Sequence, residues 1–171
     1  MGLHSHEVKI PTHEGIDKLS TMYTYEYPHP AITADCIVFA KSGEDTKVLL
    51  IKRKNAPCKG YWAFPGGFMN IDETTEETAK RELEEETGLK VNEIYQVGAF
   101  SKVDRDPRER VVTIAYYTIL ENVIRVQGGD DASEAQWFSI NDLPPLAFDH
   151  TEILQQAIAL LHHAHPATSK A

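Results

Sequence analysis

The stretch that decides the fold is residues 65–89, which read PGGFMNIDETTEETAKRELEEETGL. It opens with a double-glycine turn and continues into a helix-start pattern, because Thr74 and Glu77 fit a capping box. Gly88 then supplies the stop that a glycine commonly provides just past a helix end. The pattern therefore predicts a helix over Thr75–Thr87.

Three carboxylates of this helix, those of Glu82, Glu85 and Glu86, fall on one arc that borders an apolar stripe of Ala79 and Leu83. Like charges at this spacing repel one another, and each anion costs free energy near a core. A divalent cation removes the conflict, and oxygen-only ligands favour Mg²⁺ or Mn²⁺ over zinc. The alternative is a solvated acidic face, which is the usual explanation of a Glu-rich helix.

The register of the whole segment resembles the Nudix box. Every position that the box specifies is filled, in the order Gly67, Glu73, Arg81, Glu82, Leu83, Glu85, Glu86, Gly88 and Leu89. The resemblance implies a Nudix hydrolase, a family that splits a nucleoside diphosphate linked to another moiety. It also implies an α/β/α sandwich over roughly residues 31–163, with a mixed β-sheet and the box as a loop–helix–loop.

The resemblance implies roles for the residues of the box. Glu82, Glu85 and Glu86 are expected to bind Mg²⁺, for which Mn²⁺ is a substitute. In the family the general base is either the glutamate that matches Glu82 or a carboxylate outside the box, and both alternatives stay open. Arg81 is expected to orient a neighbouring carboxylate in the catalytic site, and Glu73 to support the box.

The glycines before the helix, Gly66 and Gly67, permit a close approach of the backbone to a metal ion or a phosphate. The Gly67 carbonyl is a candidate further metal ligand, since hard cations bind backbone oxygen. Outside the box, the carboxylates at or near the 128–131 turn are candidate bases or ligands: Asp130, Asp131 and Glu134. Turn chemistry alone also explains the Gly-Gly-Asp-Asp run.

Residues 105–117, RDPRERVVTIAYY, are similar to a segment of ADP-ribose-hydrolysing Nudix enzymes and of their regulator relatives. By that resemblance Arg105, Arg108 or Arg110 holds a phosphate or the terminal ribose, for which a guanidinium is well suited. Arg53 belongs to a Lys-Arg-Lys run that also suits a phosphate. For both segments the alternative is a solvated, charged surface loop.

By the same resemblance the predicted substrate is ADP-ribose or a close ADP-sugar, giving AMP and ribose 5-phosphate. Oxidised nucleoside triphosphates and dinucleoside polyphosphates are alternative substrates for the same chemistry. A different class is the Nudix-like regulator that binds ADP-ribose without necessarily cleaving it. Those regulators carry a winged-helix domain after the Nudix domain, and a chain ending at Ala171 is expected to lack one. The adenine is expected to stack on an aromatic residue, with four candidates: Tyr27, Phe64, Phe100 and Phe148.

The composition is that of one soluble globular domain, with 171 residues, 42% hydrophobic and 25% charged. We expect the domain over residues 29–165, preceded by a partly flexible extension over 1–28 and followed by a disordered tail over 166–171. A net charge of −9 argues against binding to nucleic acid or to acidic membranes. No apolar run has the length of a membrane span. The two cysteines show no framework spacing, which favours reduced thiols in a cytoplasmic protein.

Further elements follow from local patterns and favour a layered α/β sandwich. Segments rich in β-branched and aromatic residues predict strands over 32–40, 48–52, 93–100, 110–120 and 135–140. Asp149 and Glu152 form a second capping-box pattern, which predicts a helix to about His163. Tyrosines alternate within residues 23–27 as in an edge strand, and a homodimer contact is the alternative there.

Overall fold

The computed structural model describes residues 23–129 and 132–164, and it divides the chain into two compact units, Met1–Pro30 and Ala31–Ala171. The described part of the first unit, 23–30, contains no strand, so the predicted edge strand is wrong there. Tyr25 instead stacks on His29 with 4.1 Å between the ring centroids. The predicted tail, 166–171, and most of the predicted extension lie outside the described residues.

Seven strands and two helices form the described part of the second unit. In chain order they are β1 (Ala31–Ser42), β2 (Asp45–Arg53), β3 (Trp62–Ala63), β4 (Gly66–Phe68), α1 (Thr75–Thr87), β5 (Tyr95–Phe100), β6 (Val111–Leu120), β7 (Ala132–Ser139) and α2 (His150–Ala164). The five predicted strands are present, with ends that shift by up to three residues, as is usual for boundaries read from sequence. Among these described residues, no helix combines the length and apolarity needed to cross a membrane.

Strand β1 is the centre of a mixed sheet. It runs parallel to β6 from Ala31↔Val111 to Ala40↔Leu120. On its other edge it pairs antiparallel with β4 near its start and with β2 near its end. The strand order is β3-β2-β1-β6-β5, with β4 added to β1 and β7 added to β2.

Alternate residues of β1 face opposite helices, because successive side chains of a strand point to opposite faces. Cys36 and Val38 are fully buried in a cluster with Leu83 of α1. Ile37 and Phe39 are fully buried in a second cluster that includes residues of α2. The sheet is therefore covered by one helix on each face, which confirms the α/β/α sandwich.

The central helix has the predicted limits because its end signals are local. Thr74 Oγ1 accepts a hydrogen bond from the Glu77 N–H at 3.2 Å, and Glu77 Oε2 accepts one from the Thr74 N–H at 2.8 Å. At the other end Gly88 has a φ of 72° and its N–H donates to the Glu84 carbonyl. Left-handed backbone of this kind favours glycine.

Two local predictions are wrong. The double glycine forms strand β4 rather than a turn, since a Cβ at Gly66 would overlap β1 and only a glycine lets the two strands approach so closely. The second capping box is replaced by ion pairs, because the Asp149 carboxylate binds Arg105 and the Glu152 carboxylate binds Lys102. Helix α2 forms nevertheless, through its apolar face.

Both cysteines are free thiols. Cys36 is buried in β1, and burial raises the pKa of its thiol to about 12. Cys58 is partly buried in the loop between β2 and β3.

Candidate active site

The site is built where α1 packs against the glycine strand β4. The Gly66 N–H donates to Glu86 Oε2 at 3.0 Å, and Glu86 is only 5% exposed. A Cβ at Gly67 would lie 2.5 Å from the Glu82 carboxylate carbon. The two glycines therefore bring the backbone of β4 into direct contact with two glutamates of the helix.

Arg81 joins three carboxylates on this side of α1. Its Nε and Nη2 donate to the two oxygens of Glu73, at 2.6 and 2.9 Å. Its Nη1 donates to Glu82 Oε1 at 2.6 Å and to Glu85 Oε2 at 3.0 Å. Nη2 also donates to the Phe68 carbonyl at 3.1 Å, which ties the group to β4. We call Glu73, Arg81, Glu82 and Glu85 the acid cluster.

The carboxyl groups of the acid cluster are held in different electrostatic states. Hydrogen bonds from Arg81 lower the pKa of Glu73 to about 2. Burial raises the pKa of Glu82, although its hydrogen bond with Arg81 opposes that change. Desolvation and charge pairing act in opposite directions on a carboxyl group. Glu73, just before the helix, and Glu82, within it, therefore have pKa values shifted in opposite directions.

The metal ligands predicted from the sequence are neighbours in space but are not gathered around one point. Among residues 23–129 and 132–164, no three acidic, histidine or cysteine side chains are placed so that they could hold a metal ion. The guanidinium of Arg81 takes the place of a cation between Glu82 and Glu85, while Glu86 is turned to the Gly66 N–H. The donor set still suits a hard cation, since it consists of carboxylate oxygens beside the Gly67 backbone.

A second group, the arginine–phenylalanine cluster, consists of Arg53, Arg108, Phe68 and Phe148. The Arg53 guanidinium carbon lies 4.9 Å from the centroid of the Phe148 ring, and that of Arg108 lies 5.9 Å from the same centroid. Arg108 also lies 5.1 Å from the Phe68 ring. Because the Phe68 carbonyl binds Arg81, the two clusters share one residue of β4.

The three predicted arginines of the 101–110 loop have different surroundings. Arg105 forms a two-point ion pair with Asp149 at 2.6 and 2.9 Å, and its side chain is only 5% exposed. Arg110 donates to the Lys102 carbonyl on the surface. Arg108 binds Asp106 but keeps 40% of its side chain exposed. Of the three, the surroundings favour Arg108 as a substrate contact, whereas Arg105 fastens the loop to α2.

Phe64, predicted to contact the substrate, lies in the core. It is 2% exposed, and its ring stacks on that of His150 with 4.7 Å between centroids. Its N–H donates to His150 Nδ1, and burial lowers the pKa of that histidine. Phe100 is also buried. Neither ring presents a face to an adenine in this structure, because packing against the core covers both.

The candidate carboxylates outside the box are only partly described. Glu134 is exposed and pairs with Lys52 at 3.2 Å across β2 and β7. Asp130 and Asp131 lie outside the described residues. Their neighbour Gly129 donates its N–H to the Glu86 carbonyl at 3.1 Å, at the end of α1.

The sequence did not predict the surroundings of two residues of the site, Asp35 and Phe148. Asp35 lies beneath Gly66, is 7% exposed and accepts a hydrogen bond from Thr113 Oγ1 at 2.6 Å. The available signal was a single acidic residue inside the apolar run of β1. Phe148 was considered only for adenine, and its contact with two arginines depends on long-range packing that leaves no local pattern.

Comparisons with known proteins agree with this geometry. A model of the NUDIX domain family matches residues 29–159. The ADP-ribose pyrophosphatase of Methanocaldococcus jannaschii is 47% identical over 130 residues, which are 75% of this chain and 73% of that protein. The ADPR responsive transcriptional repressor NtrR of Acinetobacter baylyi is 34% identical over 142 residues, which are 81% of this chain and 57% of the repressor. The solved NUDIX domain of Shewanella oneidensis NrtR complexed with ADP ribose has a TM-score of 0.74 at 32% identity, covering 79% of this chain and 90% of that one.

Proposed function

Since this chain belongs to the NUDIX family, we propose that it is a metal-dependent pyrophosphohydrolase that converts ADP-ribose to AMP and ribose 5-phosphate. The observation that carries the proposal is the meeting of two oppositely charged clusters at Phe68. Its carbonyl binds Arg81 of the acid cluster, and its ring lies beneath Arg108. A pyrophosphate bound through a cation requires both kinds of group side by side.

Hydrolysis adds water across the P–O–P linkage. The oxygen of water forms a bond to one phosphorus as the bridging P–O bond breaks, and a base takes the proton. Glu82, Glu85, Glu86 and the Gly67 carbonyl are the proposed holders of the metal ion. When bound, the ion neutralises phosphate oxygens and lowers the pKa of water. Glu82 and a carboxylate outside the box are the two candidates for the base.

The remaining groups bind and orient the substrate. Arg53 and Arg108 contact the phosphates, because guanidinium groups donate well-placed hydrogen bonds to phosphate oxygens. Gly66 fixes Glu86 through its N–H. Arg81 pairs with Glu82 and Glu85 on one side of the helix. Its positive charge offsets the repulsion between the two carboxylates and keeps them close together.

The decisive test is Glu86→Gln. The glutamine carbonyl can still accept the Gly66 N–H, so the fold is retained, whereas the loss of charge at the metal site lowers kcat by a factor on the order of 10³ or more. Glu84→Gln is the matched control, since Glu84 pairs with Lys90 on the exposed face. Rates are measured with ADP-ribose in saturating Mg²⁺ alongside thermal unfolding. Near-native turnover of Glu86→Gln would show that the assignment of the ligands is wrong.

The likeness to the NtrR repressor favours a second candidate, an ADP-ribose-binding module without turnover. The chain spans 57% of that repressor. One screen separates the candidates: ADP-ribose, ADP-sugars, dinucleoside polyphosphates and nucleoside triphosphates, each with Mg²⁺ or Mn²⁺. Binding of ADP-ribose without release of AMP supports the module, and turnover of another substrate replaces ADP-ribose in the proposal.

Three finer points belong to the same proposal. Mg²⁺ is the proposed ion, with Mn²⁺ as a substitute, because the donors are oxygens. A cytoplasmic location is supported by the two free thiols. The homodimer and the absence of nucleic-acid partners stay predictions.

A further inference from the structure

Phe148 has a backbone conformation that bulky residues rarely adopt. Its φ is 51°, in the left-handed region that favours glycine. Such strain persists where the surroundings impose it, and it clusters at functional sites. Here both neighbours are fixed, because the Ala147 N–H donates to the Trp62 carbonyl and Asp149 is locked to Arg105.

The ring of Phe148 is anchored on one part of its surface and meets charge on another. It packs against the buried apolar cluster of Ile51, Ala63, Ala132 and Ala147. The guanidinium carbons of Arg53 and Arg108 both lie within 6 Å of its centroid, at 4.9 and 5.9 Å. At these distances the electron-rich face of a ring attracts a cation. The ring therefore packs on the core and also contacts two cations.

The two guanidiniums lie close enough to repel each other. Burial lowers the pKa of Arg53, and the neighbouring charge of Arg108 lowers it further, while Glu86 and Asp106 act in the opposite direction. Arg108 pairs with Asp106, and Arg53 Nε donates to the carbonyl of Pro57 at 3.0 Å. A ligand with two adjacent anionic groups would offset the repulsion between the two arginines, and a diphosphate is such a ligand.

We infer that Phe148 is a positioning residue for substrate binding, whose ring holds Arg53 and Arg108 side by side for the two phosphates of a diphosphate. The inference rests on the proposed function, which supplies the diphosphate. A ring that only filled apolar space would contribute to stability and leave the substrate KM unchanged.

The first test compares Phe148→Leu, Phe148→Tyr and the control Phe138→Leu. Phe138 is a partly buried phenylalanine that packs edge-on against Trp62 at 4.6 Å and takes no part in the proposed site. Phe148→Leu raises the KM for ADP-ribose on the order of tenfold with kcat within about twofold, the loss of one or two cation–π contacts. Phe148→Tyr keeps the ring and restores KM, and Phe138→Leu lowers Tm without changing KM. A wild-type KM in Phe148→Leu, or an equal rise in Phe138→Leu, overturns the inference.

The second test needs neither a stable leucine variant nor turnover. Phenylalanine analogues with one, two and three ring fluorines at position 148 weaken the attraction for cations while keeping the shape of the ring. We expect the Kd for inorganic pyrophosphate, measured by calorimetry, to rise with each fluorine while Tm stays constant. A flat series, or no binding of pyrophosphate by the wild-type protein, refutes the role of Phe148. Failure of the proposed function has a different signature, since the wild-type protein would then not hydrolyse ADP-ribose.

Discussion

A single methyl group at Gly67 tests how closely the Glu82 carboxylate must be placed. In Gly67→Ala the added Cβ would stand 2.5 Å from the Glu82 carboxylate carbon and Oε1, whereas ordinary contact begins at 3.4 Å. The carboxylate must therefore retreat by about 0.9 Å, and a displacement near 1 Å at a reacting group costs about 100-fold in rate. The obstacle is the end of a flexible side chain, so the fold absorbs the change and kcat falls.

Two other glycines provide the controls. At Gly66 the added Cβ would meet the Ala34 carbonyl oxygen at 2.5 Å, which is backbone that cannot yield, so Gly66→Ala costs about 3 kcal/mol of stability. At Gly98 the nearest atom is a ring carbon of Phe100 at 4.0 Å, so Gly98→Ala changes stability by no more than about 0.5 kcal/mol. Initial rates of ADP-ribose hydrolysis and urea unfolding are measured for all three. If Gly67→Ala kept a kcat close to that of Gly98→Ala, the rate of hydrolysis would not depend on the position of the Glu82 carboxylate, which would contradict the prediction.

The remaining predictions concern the ion pairs. Breaking the buried pair with Asp149 by Arg105→Ala costs about 3–5 kcal/mol in urea unfolding, whereas Arg108→Ala leaves stability nearly unchanged and mainly raises KM. An unchanged KM would show that Arg108 is part of a charged surface loop and does not contact the substrate. The pKa of Glu73 is lowered from 4.5 to about 2 by Arg81, so its contribution is fully present above pH 4.5 and is lost as the pH falls toward 2. Because solvent screens the ion pair in part, we expect the free energy of unfolding of Glu73→Gln at pH 7 to be about 1–2 kcal/mol below that of the wild-type protein. The difference in free energy disappears as the pH falls toward 2, and a difference that stays constant with pH would contradict this prediction.

The features that could be predicted from the sequence are those whose signals are local. Helix α1 begins and ends at the predicted residues because Thr74, Glu77 and Gly88 act on backbone groups within four positions. Asp149 shows the same local pattern, yet its carboxylate binds Arg105, which is 44 residues distant in sequence. The predicted capping interaction is thus replaced by an ion pair with a residue that the tertiary fold brings close.

The same distinction between local and long-range signals applies to the candidate site. The box residues could be identified from their spacing, which is a local property of the sequence. That Arg81 would bind three carboxylates, and that Phe64 would be covered by His150, 86 residues away, depends on how helices and strands pack. Aromatic side chains pack equally well in a core and against an adenine ring. The residue type alone therefore could not show that Phe64 lies in the core whereas Phe148 contacts two arginines.

Strand β1 sets the spacing between the 101–110 loop and strand β4. The carbonyl of Arg110, at the end of the loop, accepts the Ala31 N–H, and two residues further on Thr33 pairs with Phe68. Two residues of strand span about 7 Å, and a register slip would turn every side chain to the wrong face, so this interval cannot change gradually. Substitutions in the loop can therefore change its side chains without changing its spacing to β4, because main-chain pairing sets that spacing.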